Sequence, residues 1–379
     1  MHICFIEDTK LHGGTQIWVT EATRAFISAG DKVTILSPLD SWVAPRCKEL
    51  GATIVSYDFD GVVAEDEENR RIWARALAES QVAICTVHPP RREFHCSVFA
   101  SRVIKEFNLP TILIPKTGTI VPEYLREFYL PDETLPSRVI AITDFTRRYL
   151  VDSYKIPENK VELIYQGTDI DLFSRDDSRR QEARNRYVVP REASPLLGYA
   201  GSFEARKGLP ILLQAVAAVK EELPGVHLLL VGDGPDELML KEMVEKMQLS
   251  HHVSFFPFTA EPVYLFECVD IVMLSSLNKE GLPNILLEAM AMELPVIASK
   301  LAGIPEVVKP TETGEMVEPG DVQGFSQAIL QIWSDKENYD IMAGNARRLM
   351  ENCFDKKQQF TAFLNFFSTI IAGKGDSPQ

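Results

Sequence analysis

Short apolar runs, each closed by a polar or glycine-bearing loop, alternate along this chain with longer stretches of helical periodicity. HICFI opens a first series at residues 2 to 6, and VTILS at 33 to 37, ATIVSYD at 52 to 58, VAICTVH at 82 to 88 and PTILIPK at 110 to 116 continue it. Between these runs, Trp18 to Ala29, RIWARALAES at 71 to 80 and a segment around 94 to 107 place apolar residues at helical spacing, and RVIAITDFTRRYLVDSYKI adds a further strand and helix. Strands that alternate with helices in this way predict a parallel sheet covered by helices, an α/β fold. The charged, turn-rich stretch SRDDSRRQEARNRYVVPREAS at 174 to 194 interrupts the pattern. A second series follows it: LLGYAG, HLLLVG at 227 to 232, VSFFPF at 253 to 258, IVMLSS at 271 to 276 and PVIAS at 295 to 299. The expected organisation is a first domain over 1–173, a connection over 174–194, a second domain over 195–355 and a terminal helix over 356–379 with phenylalanines at Phe360, Phe363, Phe366 and Phe367.

Composition narrows the class. A chain of 379 residues exceeds the usual single core, and 45% hydrophobic with 25% charged residues describes a folded globular protein. A formal charge of −15 disfavours general nucleic-acid binding, which needs a basic footprint. Six cysteines without a CxxC pair read as buried thiols in a reducing compartment. With neither a secretory leader nor a spanning run in view, the expected location is the cytoplasm; the basic pairs Arg91–Arg92 and Arg147–Arg148 leave a peripheral contact with the inner face of the membrane open.

The stretch richest in chemistry is NKEGLPNILLEAM at 278 to 290, set between IVML and PVIAS. Strand, polar loop, short helix and strand is the arrangement in which an open α/β sheet offers a ligand site at the carboxyl ends of its strands. Backbone groups at Gly281, Leu282, Pro283 and Asn284 open the helix, where N–H groups suit a phosphate. Glu280 and Glu288 bracket that site, and carboxylates suit sugar and ribose hydroxyls better than phosphates.

Glu280 and Glu288 have the spacing of the E-x7-E signature of retaining, nucleotide-sugar-dependent glycosyltransferases of the GT-B type, the family called family 4, and this stretch resembles it. LAGIPEVV at 301 to 308 and TGEMVEPGD at 313 to 321 extend the resemblance. It implies two Rossmann-like domains facing across a deep cleft, with the terminal helix crossing back to the first. GSFEARKG at 201 to 208 resembles the family's glycine–arginine…lysine–glycine strand-end motif, with Lys207 in the place of its cation, Arg206 beside it, and Ser202 where an arginine is common. Gly13 and Gly14 resemble the amino-domain glycine loop, after His12, and His88 the histidine that orients a sugar hydroxyl. QGTDIDLF at 166 to 173 is similar to a domain-junction motif, N-G-V-D, from which Gln166 and Thr168 depart.

The resemblance implies a hexosyltransferase that moves a sugar from a nucleotide diphosphate sugar, UDP- or GDP-linked, to an acceptor hydroxyl with retention and no required metal. In that reading Lys207, Glu280 and His88 are the catalytic candidates. Gly13, Gly14, Arg206, Lys207, Gly281, Leu282, Pro283, Asn284 and Glu288 hold the donor. Two alternatives stay open, a sugar-nucleotide epimerase of similar architecture and a non-catalytic nucleotide-sugar-binding protein; the acceptor and the oligomeric state are not legible.

Overall fold

A computed structural model describes residues 1–10, 13–88, 94–119, 125–259 and 261–373. The chain divides into two compact units, one of Met1–Tyr165 with the carboxyl-terminal residues from Gln359, the other of Gln166–Gln358.

The first unit is built on seven strands, β1 (His2–Ile6), β2 (Lys32–Pro38), β3 (Thr53–Tyr57), β4 (Val82–Thr86), β5 (Ile112–Lys116), β6 (Val139–Ala141) and β7 (Val161–Leu163). They form one sheet in the order β3-β2-β1-β4-β5-β6-β7, and every pairing is parallel. The chain works outward from β1 to β3 and then returns to the other side of β1 at β4. Strand order thus reverses between β1 and β4, the switch point beside which open α/β sheets take their ligands.

Alternate residues of these strands feed two cores. Ile3, Phe5, Ile84 and Ile114 face the helices Gly14–Ser28 and Lys356–Gly373, while Cys4, Ile6, Ala83 and Leu113 face Glu67–Ala78 and Cys96–Glu106. The last helix, from Gln359 onward, is thus part of the first unit. Phe360, Phe363 and Phe367 are buried there, and Phe26 meets all three rings at centroid distances of 5.9, 6.5 and 6.0 Å. Aromatic edges against faces fill such a seam with little loss of side-chain freedom.

The second unit repeats the plan with β8 (Leu196–Ala200), β9 (His227–Val231), β10 (Val253–Phe256), β11 (Ile271–Leu274), β12 (Val296–Ser299) and β13 (Gly314–Val317). Its order is β10-β9-β8-β11-β12-β13, again all parallel, so the switch falls between β8 and β11. The charged stretch 174–194 contains the helix Asp177–Arg186, anchored through buried Ala183. Arg180 donates to Asp270 at 2.8 Å beside it, within the same unit.

Five of the six cysteines are buried free thiols and Cys353 is exposed. No helix among the described residues is long and apolar enough to cross a membrane. Of the two basic pairs, Arg147 and Arg148 are committed to ion pairs with Asp144 and Glu158, and Arg91–Arg92 lie outside the described residues.

Candidate functional site

In the second unit, both loops at the switch point converge on one carboxylate. The loop after β8 turns through a short 3-10 segment, Ala205–Lys207, and Gly208 closes it at φ +64. A Cβ on Gly208 would stand 2.2 Å from the carbonyl oxygen of Ser275, so the close approach of this loop to the end of β11 needs glycine. Leu277 N–H donates to the Arg206 carbonyl at 2.7 Å and the Ser275 hydroxyl spans the carbonyls of Lys207 and Gly208, each at 3.0 Å. These bonds lock the two loops together.

Glu280 enters that frame from a residue, Lys279, held in the left-handed region at φ 58. Its carboxylate is 8% exposed as a residue, and one oxygen, Oε1, receives Lys207 Nζ at 2.5 Å and the Ser276 hydroxyl at 2.6 Å, with Arg206 Nη1 at 3.6 Å. Arg206 also donates to Glu204 at 2.6 Å through Nε. A near-buried carboxylate is tolerated because a charge partner and a hydroxyl both serve it. The sequence-predicted Lys207, Arg206 and Glu280 are therefore brought together. Ser276 and Glu204, which sequence reasoning did not single out, complete the set; their signal was adjacency to the two motifs.

Gly281, Leu282 and Pro283 lead into the helix Asn284–Ala291, whose first residue is held by a hydrogen bond from the Gln166 amide to Asn284 Oδ1. Gln166 thus acquires a role at this helix start. Glu288 stands one turn after Asn284 on the same helix and is half-buried. The helix start carries neither a side-chain cap nor an acidic residue in its first turn, and the N–H groups and positive dipole end of such a start suit an anion.

Behind this loop, Gly201, Gly232 and Gly234 let the ends of β8 and β9 interlock. A Cβ on Gly232 would fall 1.9 Å from the Gly201 carbonyl oxygen, and one on Gly234 2.4 Å from that of Phe203. The GDGP turn therefore shapes the unit. Among the described residues no cluster of three His, Cys, Asp or Glu side chains is placed to hold a metal ion.

In the first unit, Gly13 caps the helix Gly14–Ser28 in an extended conformation, with φ −178, and offers no side-chain bond. His12 lies outside the described residues. His88 follows β4 and is half-buried. Close by, His95 stacks on Phe128 at 4.0 Å, and burial pushes its imidazole down to about 4 against the opposing hydrogen bond with the His88 backbone, keeping it neutral. These residues lie on the first unit and the Lys207–Glu280 group on the second.

Sequence reasoning missed Glu7 and Lys116, two buried titratable side chains at the ends of β1 and β5. Burial lifts the Glu7 carboxyl to about 8 against the lowering effect of the Gln16 amide, which donates to it at 2.9 Å. Burial likewise brings the Lys116 ammonium down to about 8, with Glu7 opposing. Because the Glu7 pKa is raised on folding, its contribution to stability is full below about 4.5 and is lost as pH rises through about 8. Glu7→Gln, which keeps an oxygen for Gln16, is expected to exceed the natural protein in stability by up to about 4 kcal/mol at pH near the upper value and to match it near the lower one. Denaturant midpoints across that range check this.

Comparison with known proteins places these features. The family model for glycosyl transferases group 1 matches residues 180–349. The chain is 26% identical over 215 residues to an N-acetyl-alpha-D-glucosaminyl L-malate synthase of Bacillus anthracis, covering 57% of this chain and 55% of that one. It is 30% identical over 186 residues to the lipopolysaccharide core biosynthesis glycosyltransferase LpsE of Rhizobium meliloti, covering 49% and 53%. The chain spans about half the length of these curated relatives. The fold is that of Anabaena Alr3699/HepE, solved in complex with UDP, at a TM-score of 0.85, 19% identity, and coverage of 97% and 100%. A glycosyltransferase from Rickettsia africae matches at a TM-score of 0.84 with 18% identity, covering 98% of each chain. The matched residues 180–349 fall within the second unit, Gln166–Gln358.

Proposed function

We propose that this chain is a hexosyltransferase that moves a sugar from a nucleotide diphosphate sugar to an acceptor hydroxyl with retention at the anomeric carbon and without a required metal. The observation that carries the reading is the convergence of Lys207, Arg206 and Ser276 on Glu280, next to an uncapped helix start, at the strand switch of the matched domain.

Each group has work in that reaction. The Lys207 ammonium and the Arg206 guanidinium balance charge that grows on the diphosphate as the anomeric C–O bond breaks, and the N–H groups near Leu282 and Asn284 add to it. Positive charge from these groups takes the place of a metal ion. Glu280, held in one orientation by its donors, accepts from hydroxyls of the donor sugar, and Glu288 accepts from the ribose hydroxyls. The acceptor oxygen attacks on the face the diphosphate leaves, a new C–O bond forms there, and the acceptor's proton passes to the departing phosphate oxygen. On the first unit, His88 orients an acceptor or donor hydroxyl and the Gly13–Gly14 turn presents backbone to the diphosphate. The proposed setting is the cytoplasm.

HepE has been solved with UDP, whereas curated relatives are named GDP-mannose-dependent, and binding distinguishes the two bases. Calorimetric titration with UDP and GDP is expected to show one of them binding at least tenfold more tightly, and Glu288→Gln is expected to weaken that binding about tenfold through the lost charge-assisted bond to ribose. Equal affinity of the variant would remove Glu288 from the donor site.

A further inference from the structure

Registers within the first unit set three side chains in one row at the carboxyl ends of its central strands. Ile3, Val82 and Ile112 form one cross-strand row, and Phe5, Ile84 and Ile114 the next, all in the core beneath the helix Gly14–Ser28. Two residues further, Thr86 pairs with Lys116, and Glu7 follows Ile6, the partner of Cys85, so the third row on this face is Glu7, Thr86 and Lys116. Where the rows beneath it are apolar, this row is polar throughout, yet its members are only 3, 4 and 3% exposed.

The row is not satisfied from within. The Lys116 ammonium has neither a hydrogen bond nor an ion pair among the described residues, and it rests over the Trp18 ring at 4.3 Å from the centroid. The Thr86 hydroxyl is buried with no hydrogen-bond partner. Glu7 takes the Gln16 amide on Oε2 and, with burial and the nearby Asp8 charge both raising its pKa, keeps its proton at neutral pH and can donate it in a hydrogen bond. Cys47 and Cys96, the other titrating groups that sense Glu7, are neutral thiols with raised pKa. A buried ammonium and hydroxyl without acceptors, at a strand switch point, call for a ligand that accepts.

We propose that the Glu7–Thr86–Lys116 row binds an oxyanion, a carboxylate or phosphate group carried by the acceptor. A neutral hydroxyl would leave the ammonium's charge unbalanced in a place water barely reaches, whereas an oxyanion accepts from all three groups at once. The Trp18 face beneath Lys116 holds the ammonium in place from the side opposite its ligand. The identity of the anion's carrier as the acceptor rests on the proposed sugar transfer; the anion site itself does not.

The test is calorimetric titration of the full chain with D-glucuronate, glucose 6-phosphate, inorganic phosphate and D-glucose, with UDP and GDP titrated in parallel. One or both anionic sugars are expected to bind at least tenfold more tightly than D-glucose, and which one does identifies the carboxylate or the phosphate. Lys116→Met is expected to erase that preference and Lys207→Met to keep it, while nucleotide affinity in Lys116→Met stays within about twofold of the natural protein. If Lys116→Met does not fold, Thr86→Val, which retains the ammonium, is expected to weaken the preferred anion severalfold. Nucleotide binding with no preference for any anion over D-glucose would overturn the oxyanion site and leave the sugar-transfer reading intact. Loss of nucleotide affinity in Lys116→Met would also overturn it, by assigning the ammonium to the donor's phosphates. An anion preference in a chain that binds neither nucleotide would uphold the site and remove the acceptor as its ligand's carrier.

Discussion

Lys207→Met is expected to lower kcat/KM for sugar transfer by about a hundredfold or more, the usual effect of deleting one preorganised donor to a developing charge. The residue is anchored through both its backbone and its side chain. Its carbonyl takes the Ser275 hydroxyl and its ammonium lies 2.5 Å from Glu280 Oε1, so it is in position before any donor arrives. With the ammonium gone, Glu280 keeps Ser276 at 2.6 Å and Arg206 at 3.6 Å, which limits the folding cost of leaving a carboxylate near-buried. The thermal midpoint should accordingly fall far less than the activity does. Lys207→Arg should not restore the rate, since a forked guanidinium at this spot is longer and would compete with Arg206 for the same oxygen. An activity loss matched by an equal loss of folded protein would mean that Lys207 serves only the fold.

Gly232→Ala is expected to have the largest effect on stability, several kcal/mol, enough to unfold the second unit at ambient temperature. The added methyl would lie 1.9 Å from the Gly201 carbonyl oxygen, and the residue holds φ +150, which side chains rarely adopt. Neither obstacle can relax alone, because Gly201 N–H donates to the Val231 carbonyl at 3.0 Å and Gly232 N–H to Phe256 at 2.9 Å. Gly344→Ala is the control. It sits within the helix Lys336–Cys353, its new methyl would meet only a flexible Arg348 tip at 3.8 Å, and up to about 1 kcal/mol of added stability is expected. Thermal unfolding of the pair, with limited proteolysis to locate the cleaved unit, measures both effects.

Most strands were legible because the chain writes them as unbroken apolar runs. HLLLV, IVML and ILIPK each end at a glycine, serine or lysine where the sheet meets its loops, and each is fully buried. What escaped did so for physical reasons. β7 and β13 are only three and four residues long and half-exposed in part, so edge position replaces the apolar run. The helix Asp177–Arg186 buries Ala183 alone and carries almost no hydrophobic signal to read. Lys207 and Glu280 were found through motif resemblance, yet their pairing across 73 residues of chain comes only with the fold. Glu7 and Lys116 went unnoticed because each looks like an ordinary strand-end charge; the row they share exists only once the register of β1, β4 and β5 is known.

The central claim is tested most directly by mass spectrometry of products after incubating the purified chain with UDP- and GDP-sugars and a pooled acceptor extract, with and without chelator. A donor-dependent hexose mass added to an acceptor, undiminished by chelator and lost in Lys207→Met, is the predicted result. Conversion of the donor to another sugar nucleotide without any acceptor product would contradict it in favour of an epimerase, and nucleotide-sugar binding with no chemistry at all would contradict it in favour of a binding protein.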